Sequence, residues 1–286
     1  MTISIPETTS RFVDNGDVRL HVVEAGSGPA VVLLHGFPEF WYSWRNQIGP
    51  LVAAGFRVIM PDLRGYNLSS HPNEIAAYTM DKLVSDVDVI ARSAGGTVHL
   101  VGHDWGGAIA WYVAATKPAW LKKLVVLNCA HPVSLRRAMR SPRQIALLWY
   151  MAVLQLPILP EVLVTQRRYG ALRAALRGSS ARMSFPDAVI EKYIEAWSRP
   201  GAIRGMINYY RAMRVKYPKI QGVSREPACP ILAIWGERDP VFTKESMKPP
   251  AHWKNVETAR LPDAGHFPQA DAPDEVNRLL INFLSK

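Results

Sequence analysis

An aspartate stands between small residues at a predicted strand-to-helix turn, Gly102 to Gly107, which reads Gly-His-Asp-Trp-Gly-Gly. Small residues on both sides are typical of a sharp turn that exposes a nucleophile on a strained backbone. The helical run that follows, Ala108 to Thr116, points its N-terminus at Asp104, which favours the ionised carboxylate. Asp104 is therefore a candidate nucleophile, although the turn alone would also fit an aspartate that merely caps a helix.

Three further segments could complete a site around Asp104. His35-Gly36-Phe37-Pro38 follows a predicted buried strand, and its turn could present the Phe37 N–H, with the Trp105 N–H, as an oxyanion hole. Asp239 follows a late strand and His266 lies in the loop after the last one. Each alone would be ordinary loop chemistry. Together, the order nucleophile, acid, histidine matches that of α/β hydrolases, with every member at the carboxyl end of a strand.

Short apolar runs that end in polar or glycine residues predict the strands that position these groups. The predicted strands are Val18 to Val23, Ala30 to Leu34, Phe56 to Met60, Thr97 to Val101, Leu124 to Leu127, Ile231 to Trp235 and Val256 to Leu261. Helical patterns separate them, such as Asp81 to Ala94 after a Thr79 cap, and a last helix covers Pro273 to Leu284. This alternation predicts a mostly parallel sheet covered on both faces.

The alternation stops near His131 and resumes near Pro230, and the sequence between is helical and basic. We therefore predict a core domain of residues 1–131 and 223–286 and a helical lid of residues 132–222. Residues 132–222 hold 16 Lys and Arg against 4 Asp and Glu, a net +12, and the remainder holds 18 against 20, a net −2. This excess is typical of solvated arginine-rich helices; the alternative is attraction of acidic substrates or of an anionic membrane surface.

Several classes of protein do not fit the composition. The stretch Ile145 to Val164 is apolar, but prolines and Glu161 interrupt it, which favours buried lid helices over stable membrane insertion. Cys129 and Cys229 are expected to be free thiols, and the N-terminus has no secretory pattern, so we expect a cytoplasmic enzyme, monomeric or homodimeric. No nucleic-acid motif and no metal-ligand spacing is present, so no metal or cofactor is expected.

Over nearly its whole length the sequence resembles the α/β-hydrolase-fold epoxide hydrolases. The resemblance implies an eight-stranded, mostly parallel sheet flanked by helices, with an inserted α-helical lid. It also implies a small, apolar epoxide and water as substrates. A carboxylate nucleophile suits displacement at saturated carbon, which would leave an alkyl ester on Asp104. Water activated by His266, which Asp239 orients, would then hydrolyse that ester.

An epoxide oxygen leaves as an alkoxide and needs a proton, which a tyrosine can supply at neutral pH. By the resemblance, Tyr150 and Tyr210 in the lid are the proton donors. Tyr209 is the alternative to Tyr210, because adjacent helical residues point about 100° apart and usually only one faces a pocket. Trp105, Phe37, Pro38 and Trp149 are expected to contact the substrate.

Two other functions fit the same residues. A haloalkane or haloacid dehalogenase would share Asp104, Asp239 and His266, and the Trp105 indole could hold a halide. However, Phe37 stands where haloalkane dehalogenases often have Asn, and fluoroacetate dehalogenases usually have Arg at the position of Trp105. A non-enzymatic ligand-binding protein of this fold is the third possibility.

Two histidines and one loop are expected to have structural roles. His35 and His103 are expected to orient the turns in which they lie. In the loop Asp62 to Ser69, Asn67 replaces a glycine common in the family, and asparagine tolerates left-handed backbone.

Overall fold

Eight strands form one sheet in a computed structural model that describes residues 5–116, 118–215 and 226–286. The strand order is β1-β2-β4-β3-β5-β6-β7-β8. The strands are β1 (Thr9–Asn15), β2 (Val18–Ala25), β3 (Ala30–Leu34), β4 (Arg57–Pro61), β5 (Val98–His103), β6 (Leu121–Leu127), β7 (Ile231–Gly236) and β8 (Val256–Leu261). β2 pairs antiparallel with β1 and β4, and all other neighbours pair in parallel. The predicted α/β fold with a mostly parallel sheet is confirmed.

The helices lie between the strands and after the last strand. They are α1 (Arg45–Ala53), α2 (Met80–Ser93), α3 (Trp105–Thr116), α4 (Pro132–Ala138), α5 (Pro142–Leu147), α6 (Tyr150–Val153), α7 (Leu159–Ser179), α8 (Asp187–Trp197), α9 (Ala202–Val215), α10 (Pro268–Asp271) and α11 (Pro273–Ser285). Short 3₁₀ helices cover Trp41–Trp44 and Ile75–Tyr78. Thr79 is the N-cap residue of α2, as predicted, although its side chain makes no capping hydrogen bond.

The alternation of side chains along β3 shows why the strand is apolar throughout. Val32 and Leu34 belong to one buried cluster, together with residues of α2 and α3. Val31 and Leu33 belong to the other cluster, with residues of α1 and α11. Because helices cover both faces of the sheet, successive residues of a central strand are all buried.

β1 is the strand that the sequence did not predict. It lies at the edge of the sheet, and most of its side chains are exposed or half-buried. A strand with one neighbour and a solvated face needs no apolar run, so its sequence lacks the pattern that identified the other strands.

Between β6 and β7, the described residues 132–215 and 226–230 contain six helices, α4 to α9, and no strand. We call α4 to α9 the helical insert; the lid boundaries at 132 and 222 stay a prediction, and residue 222 lies outside the described residues. The insert packs on loops that follow β3 and β4, since the Trp197 indole donates to the Pro38 carbonyl at 2.7 Å and the Tyr209 hydroxyl to the Arg64 carbonyl at 2.8 Å. Within the described residues, no helix combines the length and apolar character needed to span a bilayer.

Two smaller predictions concern the cysteines and the loop after β4. Cys129 and Cys229 are both buried and free, as expected. Asn67 has a φ of 42°, so it occupies the left-handed region that the glycine of related loops would occupy. Its amide donates to Asp62 at 2.8 Å, and Asp62 also bonds His21 at 2.7 Å, so this loop is held by buried hydrogen bonds.

Candidate active site

The sharp turn between β5 and α3 presents Asp104 at the carboxyl end of the sheet. Asp104 has a φ of 49°, a strained value for a residue with a side chain. The flanking glycines allow this turn, because a Cβ at Gly102 would lie 2.4 Å from the Gly106 carbonyl oxygen and one at Gly106 would lie 2.3 Å from that of Leu34. The sequence therefore places a carboxylate where the strand, the turn and the helix leave no room for larger neighbours.

The loop after β3 supplies a backbone donor to this carboxylate. The Phe37 N–H donates to Oδ1 of Asp104 at 2.8 Å, and the Phe37–Pro38 peptide is cis. Gly36 makes the close approach possible, since a Cβ there would lie 2.5 Å from the Asp104 Cβ. The second predicted donor, the N–H of Trp105 at the start of α3, stays a prediction.

His266 lies between the two predicted acids. Its Nε2 is 3.6 Å from Oδ2 of Asp104, and its Nδ1 is 3.0 Å from Oδ2 of Asp239. All three side chains are largely buried, Asp104 being the most accessible. Residues 104, 239 and 266, distant in sequence, thus form one connected row, as the order of the motifs predicted.

Mutual electrostatics fix the charges of this row. Burial raises the pKa of Asp104, but the hydrogen bond with His266 and its charge outweigh burial, so the net pKa is lowered. Burial lowers the pKa of His266, but the charge of Asp239 and hydrogen bonds to Asp104 and Asp239 raise it to about 10. The resting site therefore holds an ionised nucleophile beside an imidazolium.

Asn128 orients Asp239, a contact that the sequence analysis missed. Its amide donates to Oδ2 of Asp239 at 2.7 Å and to the Gly265 carbonyl at 3.2 Å, while its Oδ1 accepts from the Gly236 N–H at 2.8 Å. Asn128 follows β6 directly, so it lies at the same carboxyl edge of the sheet as the triad. This position was the signal that could have identified it.

A buried Glu39–His103 pair lies under the site and joins its loops. His103 Nδ1 is 2.7 Å from Oε2 of Glu39, and His103 Nε2 is 2.7 Å from the His266 carbonyl oxygen. Glu39 also accepts from the Gly36 N–H at 3.2 Å. The contacts agree with the predicted orienting role of His103, whereas the part of Glu39 was not predicted. The described residues contain no cluster of ligands that could hold a metal ion.

The two predicted proton donors come together above Asp104. The ring centroids of Tyr150 and Tyr210 are 6.0 Å apart, and Tyr210 packs edge-on against Phe37 at 5.3 Å and Trp105 at 5.2 Å. Burial raises the pKa of both phenols, and the charge of Asp104 adds to the effect, so both stay protonated at neutral pH.

The ring of Tyr209 also packs against Trp105 at 5.3 Å, but its hydroxyl is directed away from Tyr150. Its hydroxyl donates to the Arg64 carbonyl at 2.8 Å, and its ring packs against Tyr66 at 5.3 Å and Tyr78 at 5.6 Å. Adjacent residues on α9 therefore face different surroundings, as their helical spacing requires. The structure places Tyr210, and not Tyr209, beside Tyr150.

The predicted substrate contacts divide into two groups. Phe37 and Trp105 border Asp104 and are half-buried, and Pro38 is buried under the insert with its carbonyl bonded to Trp197. Trp149 is 67% exposed, unlike the other three, and its expected substrate contact stays a prediction. Trp149 has helical backbone angles and directly precedes Tyr150. Adjacent helical residues point about 100° apart, so Tyr150 faces the site while Trp149 faces solvent.

A set of hydrogen bonds fastens the insert to the loop that carries His266. The His266 N–H donates to the Ser179 carbonyl at 2.8 Å at the end of α7. Asp271 accepts from the Gly265 N–H at 2.8 Å and from the Ala181 N–H at 2.9 Å. We call this group the Asp271 clasp.

Comparisons with known proteins agree with this geometry. The α/β hydrolase fold family matches residues 29–273. AB hydrolase superfamily protein YfhM of Bacillus subtilis is 39% identical over 279 residues, which cover 96% of this chain and 97% of that protein. Epoxide hydrolase 4 of Mus musculus is 35% identical over 287 residues, which cover 96% of this chain and 79% of that protein. The crystal structure of Bacillus megaterium epoxide hydrolase in complex with an inhibitor has a TM-score of 0.83 at 30% identity and covers 96% of this chain and 100% of that one. The fold, the row of Asp104, His266 and Asp239, and these likenesses show that the chain belongs to the α/β-hydrolase superfamily and, within it, to the epoxide hydrolase family of enzymes.

Proposed function

We propose that this enzyme adds water to a small, apolar epoxide and releases a vicinal diol, through an ester on Asp104. The observation that carries the proposal is the pair of protonated phenols, Tyr150 and Tyr210, beside an ionised carboxylate. A nucleophile and proton donors close together are what the opening of a three-membered ether requires.

In the first step, a carboxylate oxygen of Asp104 attacks a carbon of the epoxide ring. The bond between that carbon and the ring oxygen breaks, and the oxygen takes the proton of a phenol as it leaves. The product is an alkyl ester of Asp104 and one tyrosinate. Either phenol can supply the proton, since the rings of Tyr150 and Tyr210 lie side by side with centroids 6.0 Å apart.

When Asp104 becomes an ester, His266 changes from a protonated imidazolium to a neutral imidazole that can act as a base. The charge of Asp104 and its hydrogen bond both raise the pKa of His266, and a neutral ester removes that charge. The pKa of His266 therefore falls, and its proton restores the tyrosinate by way of solvent. Neutral His266 can then accept a proton from water.

In the second step, that water attacks the ester carbonyl carbon of Asp104. The Phe37 N–H, which donates to Oδ1 in the resting enzyme, stabilises the charge that develops on this oxygen. Asp239 holds and stabilises the imidazolium. The ester C–O bond breaks, the departing alkoxide takes the second proton of that water from the new carboxyl group of Asp104, and the neutral diol leaves an Asp104 carboxylate beside the His266 imidazolium.

The surroundings of Trp105 argue for an epoxide over a halide. A dehalogenase would use the Trp105 indole to hold the leaving halide, but here its ring packs edge-on against Tyr210, with ring centroids 5.2 Å apart. A halide also leaves as a stable anion, so it would not need the protons that Tyr150 and Tyr210 can donate. We further propose that residues 132–222 act as the lid that carries these phenols.

Product analysis distinguishes the two chemistries. Styrene-type, aliphatic and fatty-acid epoxides should yield diols, whereas chloro- and fluoro-substituted analogues should release little halide. The variant His266→Gln should accumulate a covalent adduct on the Asp104 peptide, detected by mass spectrometry, because ester formation continues while hydrolysis stalls. Asp104→Asn is the control that should carry no adduct. Turnover retained by Asp104→Asn, or halide release faster than diol formation, would contradict the proposal.

A further inference from the structure

The first half of α7 and the residue before it, Ile158, turn apolar side chains toward solvent. Ile158 is 72% exposed, and Leu159, Val162 and Leu163 are also exposed. Positions 159, 162 and 163 have the spacing of one helical face. We call these four residues the outward apolar face.

The opposite side of this half-helix is attached to the protein. Pro160 is buried, and Glu161 pairs with Arg211 on α9 at 2.6 Å. The segment ends at a break, because Gln166 to Tyr169 lack helical backbone angles. A surface helix normally buries its apolar stripe and exposes its polar side, whereas here Leu159, Val162 and Leu163 are exposed and Glu161 faces the protein. Contiguous exposed apolar side chains of this kind mark interaction surfaces.

Cationic side chains lie directly beside the outward apolar face. A surface groove of about 460 Å³ has Ile158 on its wall, along with Glu161, Arg204, Arg211 and Arg214. Three arginines face one glutamate there, and Arg211 already pairs with that glutamate. Arg204 and Arg214 are exposed. The surface therefore combines apolar side chains with a net positive charge.

We propose that the outward apolar face docks peripherally on an anionic lipid bilayer, with Arg204 and Arg214 contacting phosphate head groups. Apolar side chains flanked by arginines are the pattern of segments that lie in the interface of such membranes. The net charge of +12 on residues 132–222 adds long-range attraction to an anionic surface. A second copy of the chain fits less well, because symmetric pairing would place these arginines opposite each other. This docking is independent of the proposed chemistry.

Sedimentation with lipid vesicles tests the docking. The full-length enzyme should bind vesicles of phosphatidylglycerol and phosphatidylcholine, and bind phosphatidylcholine vesicles at least about tenfold more weakly at low salt. The triple variant Ile158→Ser, Val162→Ser, Leu163→Ser should lose at least about tenfold in affinity for the anionic vesicles. The matched control is Met183→Ser, which removes an 86% exposed apolar side chain from elsewhere in the chain and should bind like the parent protein.

Circular dichroism and diol formation from a water-soluble epoxide check that all variants fold. Equal binding to both vesicle types, or equal binding by the triple variant and the parent, would overturn the proposal. Light scattering provides a separate arm. A parent dimer that the triple variant converts to monomer would assign this face to self-association and would also overturn it.

Discussion

The adjacent tyrosines of α9 allow one chemical change to be made in two surroundings. Tyr210→Phe removes a hydroxyl that faces Tyr150 and Asp104, and Tyr209→Phe removes one that bonds the Arg64 carbonyl. Both residues are buried, so each change deletes a single oxygen from a packed environment. If Tyr210 is a proton donor, the first change should affect chemistry and the second stability.

The structure sets the size of each effect. A positioned general acid contributes about a hundredfold to ten-thousandfold to a rate. Because Tyr150 remains in Tyr210→Phe, we expect a loss of roughly tenfold to a hundredfold in the rate of ester formation, and the full loss in the double Tyr150→Phe, Tyr210→Phe variant. Tyr209→Phe leaves a buried carbonyl without its 2.8 Å hydrogen bond, which should lower the free energy of unfolding by about 1–3 kcal/mol.

Single-turnover kinetics with a styrene-type epoxide measure ester formation, and urea unfolding measures stability. Tyr209→Phe should keep kcat/KM within about twofold at a temperature where it is folded, since an effect of that size is well under 1 kcal/mol. Equal losses of ester formation in both single variants would show that ring packing, not proton donation, limits the rate. A larger loss in Tyr209→Phe would assign the proton donor to the wrong tyrosine.

Two further predictions concern the row of charges. Asn128→Ala should slow ester hydrolysis by about tenfold to a hundredfold while ester formation continues, because Asp239, and with it His266, loses its fixed orientation. Single-turnover kinetics measure both steps. An unchanged rate of ester hydrolysis would contradict this prediction. His266 has its pKa raised from 6.5 to about 10 in the folded protein, so its stabilisation is fully present below pH 6.5 and is lost as the pH rises toward 10. Between pH 6 and pH 10, the free energy of unfolding measured in urea should therefore fall more for the parent than for His266→Gln, by at most about 5 kcal/mol. Parallel declines in the two proteins would refute the assigned ion pair.

The positions of Asp104, Asp239 and His266 could be predicted because each depends on local sequence and one geometric rule. Apolar runs identify the central strands, and parallel strands bring the residues that follow them to one edge of the sheet. The eight-stranded count came from resemblance, since the polar edge strand β1 has no apolar run of its own.

Residues whose contacts are long-range could not be predicted in the same way. Asn128 bonds Asp239, 111 positions away, and Glu39 bonds His103, 64 positions away. The position of Asn128 directly after β6 indicates the edge of the sheet at which it lies, but the local sequence does not state which distant group an asparagine or a glutamate will contact. Trp149 shows a second limit, because its aromatic type suggests a pocket whereas its position on the helix turns its side chain toward solvent.

The Asp271 clasp has a consequence for how substrates reach Asp104. Since the end of α7 is hydrogen-bonded to the backbone of His266, a movement of that end would also move the loop that holds the imidazole beside its acid partners. We expect the insert to pivot about the Asp271 clasp, so that an entrance opens on the side of Tyr150 while His266 stays beside Asp104 and Asp239. Insertions or deletions beside Trp149 should therefore be tolerated, whereas those between Ser179 and Ser184 should be poorly tolerated.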